Sequence, residues 1–207
     1  VVGAIESARA PGVEVVVVDG GSRDATRELA VSAGARVVSS PAGRAEQLAA
    51  GVRASCGDTI LLLHADTRLP SGFDQAVASA LEDVRTIGGA FRMRFEEAGW
   101  ALRVVEWGAR LRVAIFGLPY GDQALFVRRR TLEAIGGVPR VPIMEDLDLV
   151  KAMRGTGRLA MLDLPVSTSA RRYRARGVAR TLFRNAVATL AWLFGVDRQR
   201  VAGWYRR

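Results

Sequence analysis

Three acidic motifs stand out in the 207 residues, because each lies beside a run able to hold a carboxylate in a fixed place. Asp19-Gly20-Gly21-Ser22 closes the aliphatic run Val13 to Val18, and His64-Ala65-Asp66-Thr67 closes Ile60-Leu61-Leu62-Leu63. Met144-Glu145-Asp146-Leu147-Asp148 sets three carboxylates within four residues after the turn Pro139-Arg140-Val141-Pro142. Glycines after Asp19 let the backbone turn sharply while a ligand approaches, and the carboxylate can accept hydrogen bonds from a base or ribose. A plain strand-to-helix turn capped by Ser22 is the other reading of that motif. Asp66, at the mouth of an apolar strand, can hold Mg²⁺ or Mn²⁺, which take few protein oxygens and complete their shell with phosphate and water. His64 is the second candidate ligand, although strand-end histidines are also satisfied by ordinary hydrogen bonds. Glu145 and Asp146 open a helical run, where acids commonly answer the macrodipole. If Asp146 faces the same cleft as Asp66, it can take a proton from an acceptor hydroxyl.

The elements that must position these groups read as an α/β alternation. Strands are expected at Val13 to Val18, Arg36 to Ser39 and Thr59 to Leu63, and near-continuous apolar strands between helices imply a parallel sheet covered on both faces. The intervening helices run from near Ser22 to Gly34 and from Arg44 to Ala54. Ser71 to Val84 reads as a helix and Gly89 to Phe95 as a half-exposed strand. Trp100 to Phe116 reads as an amphipathic helix with Leu102, Val105, Trp107 and Leu111 among its apolar positions. A Gly/Pro-rich loop, a strand at Ala124 to Arg128, a short helix, the acidic helix and a strand near Leu159 to Leu162 follow. Val178 to Tyr205 reads as one or two helices. The opening Val1 to Ser7 reads as the inside of a helix, which points to a missing segment before it. Ligands gather beyond the C-terminal ends of such strands.

Composition narrows the class. The net charge of +9 comes almost wholly from arginine, Lys151 being the only lysine. Arginine suits phosphate oxygens, while arginine-rich codon usage accounts for it as well. No nucleic-acid-binding pattern accompanies the charge, so a nucleic-acid partner is not expected. Cys56 is alone, which excludes an internal disulfide or a multi-thiolate zinc site and fits a reducing, cytoplasmic setting. The apolar stretch Ala186 to Val196 is well short of the ~20 residues that span a bilayer. The C-terminal aromatics Trp192, Phe194 and Trp204, interleaved with arginines, close the core or lie on an anionic membrane at its inner face.

As a set, Val16-Val17-Val18-Asp19-Gly20-Gly21-Ser22, Leu63-His64-Ala65-Asp66-Thr67 and Met144-Glu145-Asp146 resemble the family 2 glycosyltransferases of the GT-A fold. Tyr120-Gly121-Asp122-Gln123 and Ser169-Ala170-Arg171-Arg172 resemble, within that family, a small bacterial branch associated with radical-SAM and selenium-related genes. The resemblance implies a Rossmann-like, largely parallel mixed sheet flanked by helices, with the first strand absent and helices at the C-terminus. It implies one glycosyltransferase domain over residues 1–207, with a nucleotide-sugar half at 1–85 and an acceptor half at 86–207.

The resemblance also implies roles. Asp19 and Gly20 meet the nucleobase, Arg44 lies near the nucleotide, and Asp66 holds the Mn²⁺ or Mg²⁺ with His64 in the place of the family's usual first Asp. Asp146, beside Glu145, is the base of an inverting transfer. Asp122 and Gln123 lie on the acceptor side, and Arg171 and Arg172 contact the donor diphosphate. The donor is UDP- or GDP-linked, and the acceptor is anionic, lipid-linked or soluble. A nucleotidyltransferase and a noncatalytic nucleotide- or sugar-binding protein are the rivals. A methyltransferase is disfavoured by the lack of Gly-x-Gly spacing after Asp19.

Overall fold

The computed structural model describes residues 1–206. In chain order the first half comprises α1 (Val2–Ser7), β1 (Val16–Asp19), α2 (Thr26–Ser32), β2 (Arg36–Ser39), α3 (Arg44–Ala54), β3 (Thr59–Leu62), β4 (Thr67–Arg68) and α4 (Phe73–Ala80). The second half comprises β5 (Thr86–Phe95), α5 (Trp100–Phe116), β6 (Leu125–Arg128), α6 (Arg129–Ala134), α7 (Glu145–Arg154), β7 (Arg158–Thr168), α8 (Arg171–Arg176), α9 (Val178–Leu193) and α10 (Arg198–Arg206).

The parallel sheet expected from the first three strands is divided. β1 and β2 pair in parallel, whereas β3 joins a separate mixed sheet in the order β3-β6-β5-β7-β4, where only β5 and β7 are parallel. The amide of Arg36 donates to Val15 and that of Ser40 to Asp19, so the alternate residues of β1 face away from β2. On that open edge the Gln47 side chain donates to the Val18 carbonyl at 3.0 Å.

β5 is more buried than a half-exposed strand because β6 and β7 flank it on both sides. A Cβ on Gly88 would strike the Phe126 carbonyl, and one on Gly89 the Ala160 carbonyl, so only glycine permits this approach. β7 extends well past the expected strand, and its register against β5 skips between Leu162 and Pro165, a bulge that accommodates the proline. One apolar cluster includes Ile60, Leu62, Leu149 and Met153, and a second includes Phe73, Phe91, Phe126 and Val166.

Several ends shift for local reasons. Ser22 does not cap α2, because its amide is drawn to the Asp19 carboxylate at 3.0 Å and the helix starts later, at Thr26. α4 stops at Ala80, short of the expected Val84, and Asp83 takes the Arg85 amide at 2.9 Å. α5 ends where expected, at a left-handed Gly117 with φ 60°.

Candidate functional site

α3, the end of β3, the turn at Gly121–Gln123 and the start of α7 meet in one recess. Arg44, the first residue of α3, forms an ion pair with Glu145 and lies 3.2 Å from Asp146 Oδ2. Glu145 is only 3% exposed, and that guanidinium is the partner of its carboxylate. Burial works against the charge on Arg44, but Asp146 and Glu145 outweigh it and keep it protonated.

Asp146 is held from three directions. Its Oδ2 accepts the Gly121 amide at 2.8 Å as well as facing Arg44, and its Oδ1 accepts the Leu147 amide at 3.0 Å. A Cβ built on Gly121 would lie 3.0 Å from His64 Nε2 and 3.2 Å from Asp146 Oδ2, which puts the imidazole and the carboxylate together where a side chain would project. Burial, reinforced by Arg44, pushes the His64 pKa down and favours the neutral ring. Burial pushes the Asp122 carboxyl up against the opposing pull of Arg112 and His64, and its Oδ1 is buried without a partner.

Two non-glycine residues in the left-handed region frame the recess, Ala124 with φ 47° after the Gly121 turn and Met144 with φ 63° before α7. Such conformations persist only where surrounding packing enforces them, and they concentrate at functional sites. About 10 Å³ of free space remains in the recess, roughly what one water needs. A larger cavity of about 290 Å³ lies between α5 and β5, touching Arg92, Arg110 and Asp163, and contains none of these acids.

Asp66 sits at the rim, exposed, with a carboxylate that makes no hydrogen bond among the described residues. Its backbone carbonyl accepts the Ser169 amide at 3.1 Å, and β4 pairs with β7 beside it. That link brings the start of α8, with exposed Arg171 and Arg172, to the Asp66 side of the cleft. Arg172 also donates to the Tyr205 hydroxyl at 3.3 Å.

Among the described residues no three His, Cys, Asp or Glu groups stand close enough to enclose a metal ion. The free Asp66 carboxylate with His64 two residues away nevertheless suits Mg²⁺ or Mn²⁺, which keep several waters and take further oxygens from a diphosphate. The donor set therefore fits a cation that arrives with its nucleotide, not a permanent cage.

Other expected residues lie beneath or beside this centre. The Asp19 carboxylate accepts the amides of Gly21 at 3.3 Å and Ser22 at 3.0 Å, and hydrogen bonds from Ser22 hold its pKa below the usual carboxylate range. A Cβ on Gly20 would meet Gln47 Nε2 at 3.0 Å, so the loop packs tightly on α3. Gln123 does not reach the cleft: it is 3% exposed, donates to the Phe91 carbonyl at 2.9 Å, and accepts from the Tyr120 amide and from Arg112.

Asp148, the third acid of its cluster, accepts the Trp192 indole at 2.6 Å and Arg198 at 2.9 Å, fastening α7 to the C-terminal helices. That contact gives Trp192 a packing role. Sequence reasoning missed Arg112, whose guanidinium lies 3.4 Å above the Tyr120 ring and bonds the Leu118 carbonyl. It lies within α5, where an arginine on a helix face carries no signal of the turn it supports.

The family model for glycosyl transferase family 2 matches residues 1–132. No curated protein matches the chain in sequence. Among solved structures, glucosyl-3-phosphoglycerate synthase from Mycobacterium tuberculosis in complex with phosphoglyceric acid is similar with a TM-score of 0.66 at 20% identity, over 95% of this chain and 76% of that one. The same enzyme with Mn²⁺, UDP and glucosyl-3-phosphoglycerate gives a TM-score of 0.65 at 20% identity, over 95% and 75%. Mannosyl-3-phosphoglycerate synthase from Rubrobacter xylanophilus gives 0.60 at 21%, over 96% and 71%. At these identities the likeness establishes the fold.

Proposed function

Because the chain belongs to glycosyl transferase family 2, we propose that it moves a sugar from a UDP-linked donor to an acceptor hydroxyl, with inversion at the anomeric carbon and with Mn²⁺ or Mg²⁺ as cofactor. The observation that carries this reading is the convergence of His64 and Asp146 on Gly121, with Arg44 against Asp146. UDP is preferred to GDP because the similar glucosyl-3-phosphoglycerate synthase is seen with UDP and Mn²⁺, and also with UDP and Mg²⁺.

Residues 1–85 supply the donor half. Asp19 fixes the Gly20-Gly21-Ser22 loop against which the nucleobase lies. Asp66, with His64 behind it, is the place for the cation, which when bound neutralises charge developing on the leaving diphosphate. Arg44 keeps Glu145 and exchanges Asp146 for phosphate oxygens, to which a guanidinium fork binds well, and Arg171 and Arg172 approach the same group from α8. Freed of Arg44, Asp146 takes the proton from the acceptor hydroxyl as that oxygen attacks in line. The Gly121 amide keeps its carboxylate aimed. Residues 86–207 supply the acceptor half, on the side of Asp122. The single, exposed Cys56 accords with a cytoplasmic setting.

Titrating the protein with UDP, with and without Mn²⁺, and then identifying the phosphate product released from UDP-sugars tests the reading. Cation-dependent binding and release of UDP are expected. Release of pyrophosphate would make it a nucleotidyltransferase, and binding without turnover over a panel of sugars and acceptors would make it a noncatalytic binder.

A further inference from the structure

The net charge of the chain is not spread over it. Residues 1–170 carry twenty basic and twenty acidic side chains, whereas residues 171–207 carry ten arginines and one acid, Asp197. The whole excess of +9 therefore belongs to residues 171–207, the part of the chain that includes α8, α9 and α10. Arg171, Arg172, Arg174, Arg176, Arg180 and Arg200 are exposed there.

The same layer presents apolar crests to solvent. α5 buries Leu102, Val105 and Ala109, yet on its opposite side Trp100, Val104, Trp107, Leu111 and Ile115 recur at steps of four and three and are all exposed. α9 buries Thr181, Arg184 and Ala188 and exposes Phe183, Leu190, Leu193 and Phe194 on its other side. The two helices pack against each other. Trp100 and Phe194 are each 82% exposed, Phe183 65% and Trp107 63%. With aromatic side chains of about 150–250 Å² each, these four alone leave on the order of 600 Å² of ring surface in water. A contiguous monomer patch is usually a few hundred Å².

No acid interrupts either crest. α9 contains none, and the one acid of α5, Glu106, turns inward to accept the Phe95 amide at 2.8 Å. Arg103 and Arg110 flank the α5 stripe and are exposed.

We propose that α5 and the C-terminal helices form a docking face for an anionic lipid bilayer, with the crest residues entering the headgroup region and the exposed arginines other than Arg171 and Arg172 meeting lipid phosphates. The occupant must be apolar and anionic at once. A second copy of this chain fails on charge, since a symmetric contact would set one arginine-rich segment against another. No helix among the described residues is long and apolar enough to cross a membrane, so the contact lies along the surface. This face is carried by α5 as much as by α9, and it does not involve Trp192, whose indole is engaged by Asp148.

Flotation of the full chain with vesicles of phosphatidylcholine alone, and of phosphatidylcholine with a third phosphatidylglycerol, tests the proposal without donor, metal or turnover. Binding to the anionic vesicles alone, weakening as salt is raised, is expected. The double variant W107S/F194S, altered only at exposed positions, should keep its melting temperature and lose vesicle affinity by ~10-fold or more. Absence of binding to anionic vesicles at low salt, or equal binding by parent and variant, overturns the proposal. So does a dimer in sedimentation that the double variant dissolves, which would assign the face to a second copy.

Discussion

A single methyl group added at Gly121 would enter the recess between His64 and Asp146. Ordinary contact for a Cβ begins at 3.4 Å, and Gly121→Ala would place one 3.0 Å from His64 Nε2 and 3.2 Å from Asp146 Oδ2, so the two must retreat by roughly 0.4 and 0.2 Å. Gly121 is not among the residues with positive φ, so alanine fits its backbone and the whole effect is steric. Overpacking of this size costs about 1–2 kcal/mol of stability. A misplacement of ~1 Å at a reacting group can cost ~10²-fold in rate, so a few tenths of an ångström should cost roughly 5- to 10-fold in kcat.

The matched control is Gly108→Ala in α5, where nothing lies within 4 Å. It should gain about 0.5–1 kcal/mol from helix propensity and leave transfer unchanged. Thermal melts and steady-state sugar transfer on the three proteins provide the comparison. Parental kcat in Gly121→Ala alongside a lowered melting temperature would refute the placement of the reaction at this glycine. An unchanged melting temperature would refute the packing itself.

Asp66→Ala should leave the melting temperature unchanged, because its exposed carboxylate bonds nothing, and should abolish the effect of Mn²⁺ on UDP affinity; a retained Mn²⁺ effect in calorimetry would move the cation elsewhere. The folded-state pKa of Asp19 is lowered, so its contribution to stability is complete above the ordinary value of 3.8 and is lost as pH falls through the lowered one. Asp19→Asn should therefore flatten the acid limb of the stability curve below about pH 4, measured by urea unfolding across pH; an unchanged limb would contradict the turn bonding. Gly89→Ala, which drives a methyl into the Ala160 carbonyl, should give little folded protein by circular dichroism, and a native-like melt would contradict the β5–β7 register.

Most elements were legible because aliphatic runs and helical spacing are local properties. Their ends were less so: Asp19 captures the Ser22 amide where α2 was expected to begin, and α4 stops before Asp83, which takes the Arg85 amide. α5 misled differently: it carries one apolar stripe for the core and another for solvent, and periodicity alone does not say which is which. The motifs holding His64 and Glu145–Asp146 meet at one recess because they end and open elements that converge on Gly121. The Arg44–Glu145 pair, separated by 101 positions, had no local signal beyond the two motifs themselves. Gln123 and Asp148 are of the types that bind ligands, and only their partners, Arg112 for the first and Trp192 with Arg198 for the second, reveal them as struts. The division of the sheet between β1 and β3 also depends on pairing, which a one-dimensional pattern does not encode.

The central claim is that Asp146 is the base of a sugar transfer. Its most direct test is Asp146→Asn, assayed for UDP binding in Mn²⁺ and for glycoside formation with the anomeric configuration read by NMR. The account predicts donor affinity close to the parent, transfer reduced ~10²-fold or more as for loss of a general base, and inverted product from the parent. Transfer by Asp146→Asn at the parental rate, or a retained anomeric configuration in the parental product, would contradict it.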